Sequence, residues 1–269
     1  MFNGSRTIYS KKLANRAKCG LPYVPLLNTT LNERFNIESL VDNKSVTYPT
    51  INLLTFGIGA SDTSVKNTRL DLKSSTHSYT DAALFTHIPL YMRKESEITL
   101  HPPSSKLRLR TSITFDNEKY IVYYGYKIDD FDSNDDVVTF NNIEEEYVNI
   151  SKLDVSSLSV LYPEPKNVID LKTCTKQYIG DFIKVYTFIT EEELLEIENV
   201  FNLLYPNKEQ IITEVGICHS KEMKYETYIE NVQVQISYFL DTKFDIKQSI
   251  KEEKLDFIIE LGDMELMIL

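Results

Sequence analysis

Two neighbouring runs near the middle of the chain alternate with a period of two. In LRLRTSITF, Leu107, Leu109, Ile113 and Phe115 fall on one side and Arg108, Arg110, Ser112 and Thr114 on the other, the pattern of a half-buried strand. In KYIVYYGYKI, Tyr120, Val122, Tyr124, Tyr126 and Ile128 share one face and Ile121 and Tyr123 the other, so this strand is apolar on both sides. With a turn over Asp116 to Glu118 the runs form a hairpin. A strand wetted on neither face is central in its sheet or covered by another chain.

Around this hairpin the pattern is less regular. Thr50 to Ile58 predicts an apolar strand, Asn32 to Val41 a short helix, and Ser78 or Thr80 a cap for a helix over Asp81 to Phe85 that must stop near Pro89. Asp129 to Asp136, DDFDSNDD, predicts a loop leading to weaker strands at Val137 to Phe140 and Glu145 to Ile150. Asp181 to Ile189 predicts a strand. Thr190 with Glu193 forms a capping box, which opens a helix with Leu194, Ile197, Phe201 and Leu204 at helical spacing and a stop at Pro206. Further strands are expected at Ile211 to Cys218, Val232 to Leu240 and Leu255 to Leu261. The order is that of an α+β, β-rich fold: mainly antiparallel sheets, a few short helices and an extended basic N-terminal arm. Prolines in YPEPK suggest a boundary near Leu161, giving an arm over 1–47, a β-rich domain over 48–160 and an α+β domain over 161–269.

Charge sharpens the reading of the arm. Arg6, Lys11, Lys12, Arg16 and Lys18 meet no acid until Glu33, so all 40 acidic residues lie beyond the first 32 positions. Such a basic block fits a transit peptide, a disordered tail or a segment that orders when it docks on an acidic neighbouring subunit, since charge blocks commonly act as interaction tails. The net charge of −11 argues against nucleic acid, whose binding depends on cations neutralising phosphates. No apolar run approaches the ~20 residues of a membrane-spanning helix, and a soluble chain with protein partners is expected. Cys19, Cys174 and Cys218 are too far apart for a zinc pattern and odd in number, which fits a reducing compartment.

Candidate chemistry is sparse. Gly57 and Gly59 make a GxG after a strand without the third glycine of a dinucleotide site, and read as a structural turn. His77, His87 and His101 lack metal-ligand spacing; His87, beside Pro89, is suited to bonding carbonyls at a helix end. Asp130, Asp132 and Asn134 match the start of a calcium loop, but Asp135 replaces its glycine and Asn141 its closing glutamate. No cofactor, metal or catalytic residue is assigned.

YPTINLLTFGIG, SYTDAALFTHIPLYMR, KLRLR and EKYIVYYGYKID, followed by TEVGICHS, NVQVQISYFLD and FIIELGDMEL, resemble in kind and order segments of virion structural proteins of large tailed phages, baseplate wedge proteins among them. The resemblance implies a non-catalytic, multicopy subunit of the virion, made in the host cytoplasm, which joins other tail or baseplate proteins or copies of itself. Its expected interface residues are Arg6, Lys11, Lys12, Arg16, Lys18, Arg108, Arg110, Tyr123, Tyr124 and Tyr126. Seventeen tyrosines and no tryptophan suit interfaces that are wet before assembly. Two other readings compete: a carbohydrate- or receptor-binding module of the virion stacking sugars on Tyr123, Tyr124 and Tyr126, and a metal-assisted hydrolase using the Asp130 to Asp136 run.

Overall fold

Antiparallel strand pairing builds two compact units that interleave in sequence, residues 1–128 with 188–255 and residues 129–187 with 256–269. This computed structural model describes residues 4–37, 48–59, 77–143, 146–152, 177–206, 209–224 and 229–266. In chain order the elements are β1 (Gly4–Arg6), α1 (Ile8–Lys18), α2 (Leu31–Arg34), β2 (Thr50–Ile58), β3 (Thr86–His87), β4 (Tyr91–Lys94), β5 (Leu107–Phe115), β6 (Glu118–Lys127), β7 (Asp130–Ile143), β8 (Glu146–Lys152), β9 (Gln177–Thr190), α3 (Glu191–Leu204), β10 (Ile211–Lys224), β11 (Ile229–Asp245), α4 (Ile246–Lys251) and β12 (Lys254–Leu266). The α+β, β-rich class expected from the pattern is the one observed.

The first unit is one sheet in the order β1-β11-β10-β2-β6-β4, with β3 on β2 and β5 on β6. The central hairpin forms where the alternation puts it, and its turn residues Asp116 and Asn117 both have positive φ (48° and 62°), as a two-residue turn matched to strand twist requires. β6 pairs with β2, β4 and β5 and so is central in its sheet, one of the two placements its apolar faces predicted. β5 departs from strict alternation. Leu109 has a φ of 58°, and Leu107, Arg108 and Leu109 are buried in succession. There the sheet folds back toward the start of β11: the Leu109 and Arg110 amides donate to the buried Glu230 carboxylate at 2.9 and 3.2 Å. Leu31, Leu53, Leu84, Leu109, Cys218, Val234, Ile236 and Phe239 fill the core.

The basic N-terminal segment is folded rather than extended along its length. β1 adds to the edge of β11, and Thr7 then caps α1, accepting from the Ser10 amide while donating to the Ile236 carbonyl at 2.7 Å. The helix expected from Asn32 is the single turn α2, opened one residue earlier by a Thr30–Glu33 capping box; its expected end at Val41 lies outside the described residues. No helix forms over Asp81 to Phe85. Asp81 instead accepts from the Ser78 amide at 2.9 Å, and the Phe85 and Thr86 amides turn to Glu214, so side chains take the bonds a helix would have supplied. α3 begins at its capping box and buries Leu194, Ile197, Val200 and Phe201 before Pro206 ends it.

The second unit is the sheet β12-β9-β7-β8. Most of the acidic run 129–136 lies inside β7, not in a loop. A long ladder to β9 overrides the poor strand propensity of aspartate, and the break in register between Asp132 and Asp136 absorbs the polar residues between them. The boundary expected near Leu161 lies outside the described residues, and the strands flanking it, β8 and β9, pair with the same β7. The units therefore do not follow the sequential division into 1–47, 48–160 and 161–269.

Candidate interaction surfaces and the buried histidine network

The N-terminal segment is fastened to the first unit by polar anchors and leaves apolar side chains outside. After α1 the chain LPYVPLL buries only Tyr23, whose hydroxyl donates to Gln235 of β11. Gln235 in turn donates to Thr29 at 2.6 Å. Asn32 completes the attachment at an irregularity of β11 where Gln233 has a φ of 56°: its amide donates to the Asn231 carbonyl and its oxygen accepts from the Val234 amide, both at 2.9 Å. Lys12 and Arg16 of α1 donate to the Val24 and Pro22 carbonyls at 3.2 and 3.1 Å, laying the segment along the helix.

With these anchors inward, Leu21, Val24, Leu26 and Leu27 are 49–82% exposed, and Ile8 on α1 is 45% exposed. Isolated exposed aliphatics are ordinary, but four within seven residues beside a basic helix form a patch of the kind that marks an interface. Among the described residues, Lys11, Lys12, Arg16 and Lys18 meet no carboxylate.

A cleft of about 580 Å³ lies elsewhere in the first unit, between β4, the 100–107 segment and α3. Its walls are apolar, with Leu90, Leu100, Leu107, Ile189 and Leu195, and its rim carries Glu192 and the bidentate pair Arg93–Glu196 at 2.7 and 2.9 Å. Leu100 is 77% exposed at the mouth.

The most tightly built polar cluster is His77 between two carboxylates. Nε2 lies 2.6 Å from Glu214 and Nδ1 3.2 Å from Asp81, with the ring stacked on Phe239 at 3.8 Å. Burial pulls the imidazole pKa down, but hydrogen bonding and charge from Glu214 and Asp81 prevail and raise it. Both ring nitrogens are engaged, so neither is left to accept a proton from a substrate. Glu214 is itself buried and accepts from the Phe85 amide at 3.0 Å. The GxG glycine Gly57 serves this packing, since a Cβ there would lie 2.6 Å from the Thr86 carbonyl and 2.8 Å from Glu214. His87 bonds no helix-end carbonyl; its Nε2 accepts from the Leu84 amide at 3.1 Å and Nδ1 meets Thr55. His219 bonds Ser237 at 2.6 Å. Burial lowers His87 to about 3 and His219 to about 4.

The residues expected at an interface divide. Lys11 and Lys18 are exposed on α1, while Arg6 is partly covered, bonding Ser10 at 3.2 Å and lying over Tyr238. Arg110 is exposed. Arg108 is not: its guanidinium is buried, donating to the Ser105 and Leu107 carbonyls and to Glu222, because the turn of the backbone at Leu109 draws it inward. Tyr126 is buried as well, its hydroxyl within hydrogen-bond reach of Glu193 at 2.7 Å and the Phe188 carbonyl at 2.8 Å, and it leaves the interface set for the core. Tyr124 is stacked on Phe35 at 4.0 Å, and Tyr123 lies edge-on to Tyr91. The three tyrosines thus make no shared stacking platform. The exposed aliphatics of 21–27 were missed; their signal was the lack of any period in LPYVPLL, an apolar stretch that fits neither helix nor strand.

Taken together, these features define an α+β protein built on antiparallel sheets, with its buried histidine side chains bonded internally and four exposed aliphatic residues beside the basic helix α1. The chain belongs to the family of unknown function DUF7208, whose sequence model matches residues 3–269. No curated protein and no solved structure matches it.

Proposed function

We propose that this chain is a non-catalytic structural subunit of a tailed-phage virion, a component of the baseplate wedge or its periphery that joins neighbouring subunits as the tail assembles. The observation that carries the assembly reading is the N-terminal patch: Leu21, Val24, Leu26 and Leu27 exposed beside four lysine and arginine side chains that meet no carboxylate among the described residues. Water-exposed leucines gain about 25 cal/mol for each Å² of apolar surface covered, and the cations steer them toward an acidic partner. The placement in a phage tail rests on the resemblance of the sequence segments. Virions purified from the phage that encodes the chain test the proposal. The expected result is several copies per particle by quantitative mass spectrometry, with residues 8–27 cross-linked to another tail protein or copy. Absence from purified particles would overturn it.

A further inference from the structure

We infer that copies of this chain associate head to tail, the basic, apolar N-terminal surface of one copy seating on the acidic, apolar cleft beside α3 of the next. The inference rests on the assembly reading above and names the partner.

Three observations lead to a second copy as the occupant. The first is placement: β1, which leads into α1, and β4, which lines the cleft, are the two terminal members of the strand order β1-β11-β10-β2-β6-β4, so the surfaces belong to different parts of one unit. The second is charge. All five cations of the first 32 residues precede the first acid, while α3 carries Glu191, Glu192, Glu193, Glu196 and Glu198 without a lysine or arginine. Of these, Glu196 is matched by Arg93 and Glu193 holds the helix cap and the Tyr126 hydroxyl, which leaves Glu191, Glu192 and Glu198 without a cation among the described residues.

The third is spacing. Lys11 and Lys18 stand seven residues apart on α1, about 10 Å along one face, and Glu191 and Glu198 stand equally far apart on α3 beside the cleft, whose own unmatched carboxylate is Glu192. Each face also presents one exposed aliphatic residue, Ile8 at 45% and Leu195 at 41%. The aliphatics of 21–27 supply apolar side chains, and the cleft, within the ~300–1,000 Å³ range of pockets that enclose small ligands, supplies apolar walls. A surface that fits a different surface of the same molecule gives a heterologous contact, which propagates into a ring or a filament instead of stopping at a pair.

Sedimentation velocity of the full chain and of two variants tests this. In one variant Lys11→Gln, Lys18→Gln and Leu27→Asp disable the basic surface; in the other Glu192→Gln, Glu198→Gln and Leu100→Asp disable the cleft and the acidic side of α3 beside it. All six positions lie outside the buried core, and circular dichroism checks the fold. The wild type is expected to grow beyond a dimer as concentration rises at low ionic strength and to fall back as salt rises. Each variant alone is expected to remain monomeric, and an equimolar mixture to stop at a 1:1 heterodimer, because each retains the surface the other lacks. A wild type monomeric throughout, or variants that associate as the wild type does, overturns the inference. If either variant misfolds, the single changes Lys18→Glu and Glu192→Lys replace the triples, with at least a tenfold weaker association as the supporting result and unchanged association as the overturning one. A monomeric chain that is nevertheless present in virions would remove this contact and leave the structural role; head-to-tail association by a chain absent from virions would do the reverse.

Discussion

His77 shows how a residue that looks like candidate chemistry becomes an internal tie. A buried ion pair broken from one side leaves the other charge unpaired, which commonly costs about 3–5 kcal/mol. His77→Ala is therefore expected to lower unfolding free energy by about 3 kcal/mol in urea melts, through the stranded Glu214. Its pKa is raised in the fold, so its contribution is complete below the unfolded value of about 6.5 and is lost as pH rises through the folded value. His87 and His219 act with the opposite sign. With folded values near 3 and 4, they favour the fold above about pH 6.5, and that contribution drains as pH falls toward those values. Stability is expected to decline by up to about 1.4 kcal/mol per pH unit per histidine in that window, and His219→Gln to flatten the decline, measured as urea midpoints between pH 7 and 4. Gly57→Ala should destabilise the fold at any pH, because its new methyl group would meet the Thr86 carbonyl. Sequence showed these histidines and this glycine only as isolated positions; their partners are more than a hundred residues away in the case of Glu214.

At the scale of elements, the places where sequence and structure agree are those where one local signal decides the outcome. The Thr190–Glu193 box opens α3, and the Asp116–Asn117 turn closes the hairpin. Thr190→Ala is expected to cost about 1 kcal/mol of stability by urea denaturation through the lost cap. The disagreements have tertiary causes. The Asp81 to Phe85 helix is displaced by carboxylates that capture its amides, and the 129–136 run is drawn into β7 by its ladder to β9. Asn32 is a further case, since nothing local announces that it will bridge β11 across the irregularity at Gln233. Asn32→Ala strands the buried Val234 amide and is expected to cost about 2 kcal/mol, with faster hydrogen exchange at residues 21–32 than in the wild type.

For the whole molecule, the fold class was legible because alternating strands outnumber helical patterns, and the basic block was legible from charge alone. The way that block is used was not. Its cations read as a tail, whereas in the structure they flank a folded strand, helix and strap whose aliphatic residues face outward. Arg108 and Tyr126, equally conspicuous in sequence, went to the core because the backbone turns at Leu109 and because Glu193 and the Phe188 carbonyl take the tyrosine hydroxyl. An interface is a surplus left after the core and its hydrogen bonds are complete, and sequence pattern alone does not count that surplus.

Lysine-reactivity labelling of Lys11 and Lys18, compared between the isolated chain at low concentration and the chain inside intact virions, tests the central claim most directly. The account predicts that both lysines label readily in isolation and are protected several-fold in the particle, while Lys119, exposed on β6, labels alike in both states. Equal labelling of Lys11 and Lys18 in the two states would contradict it.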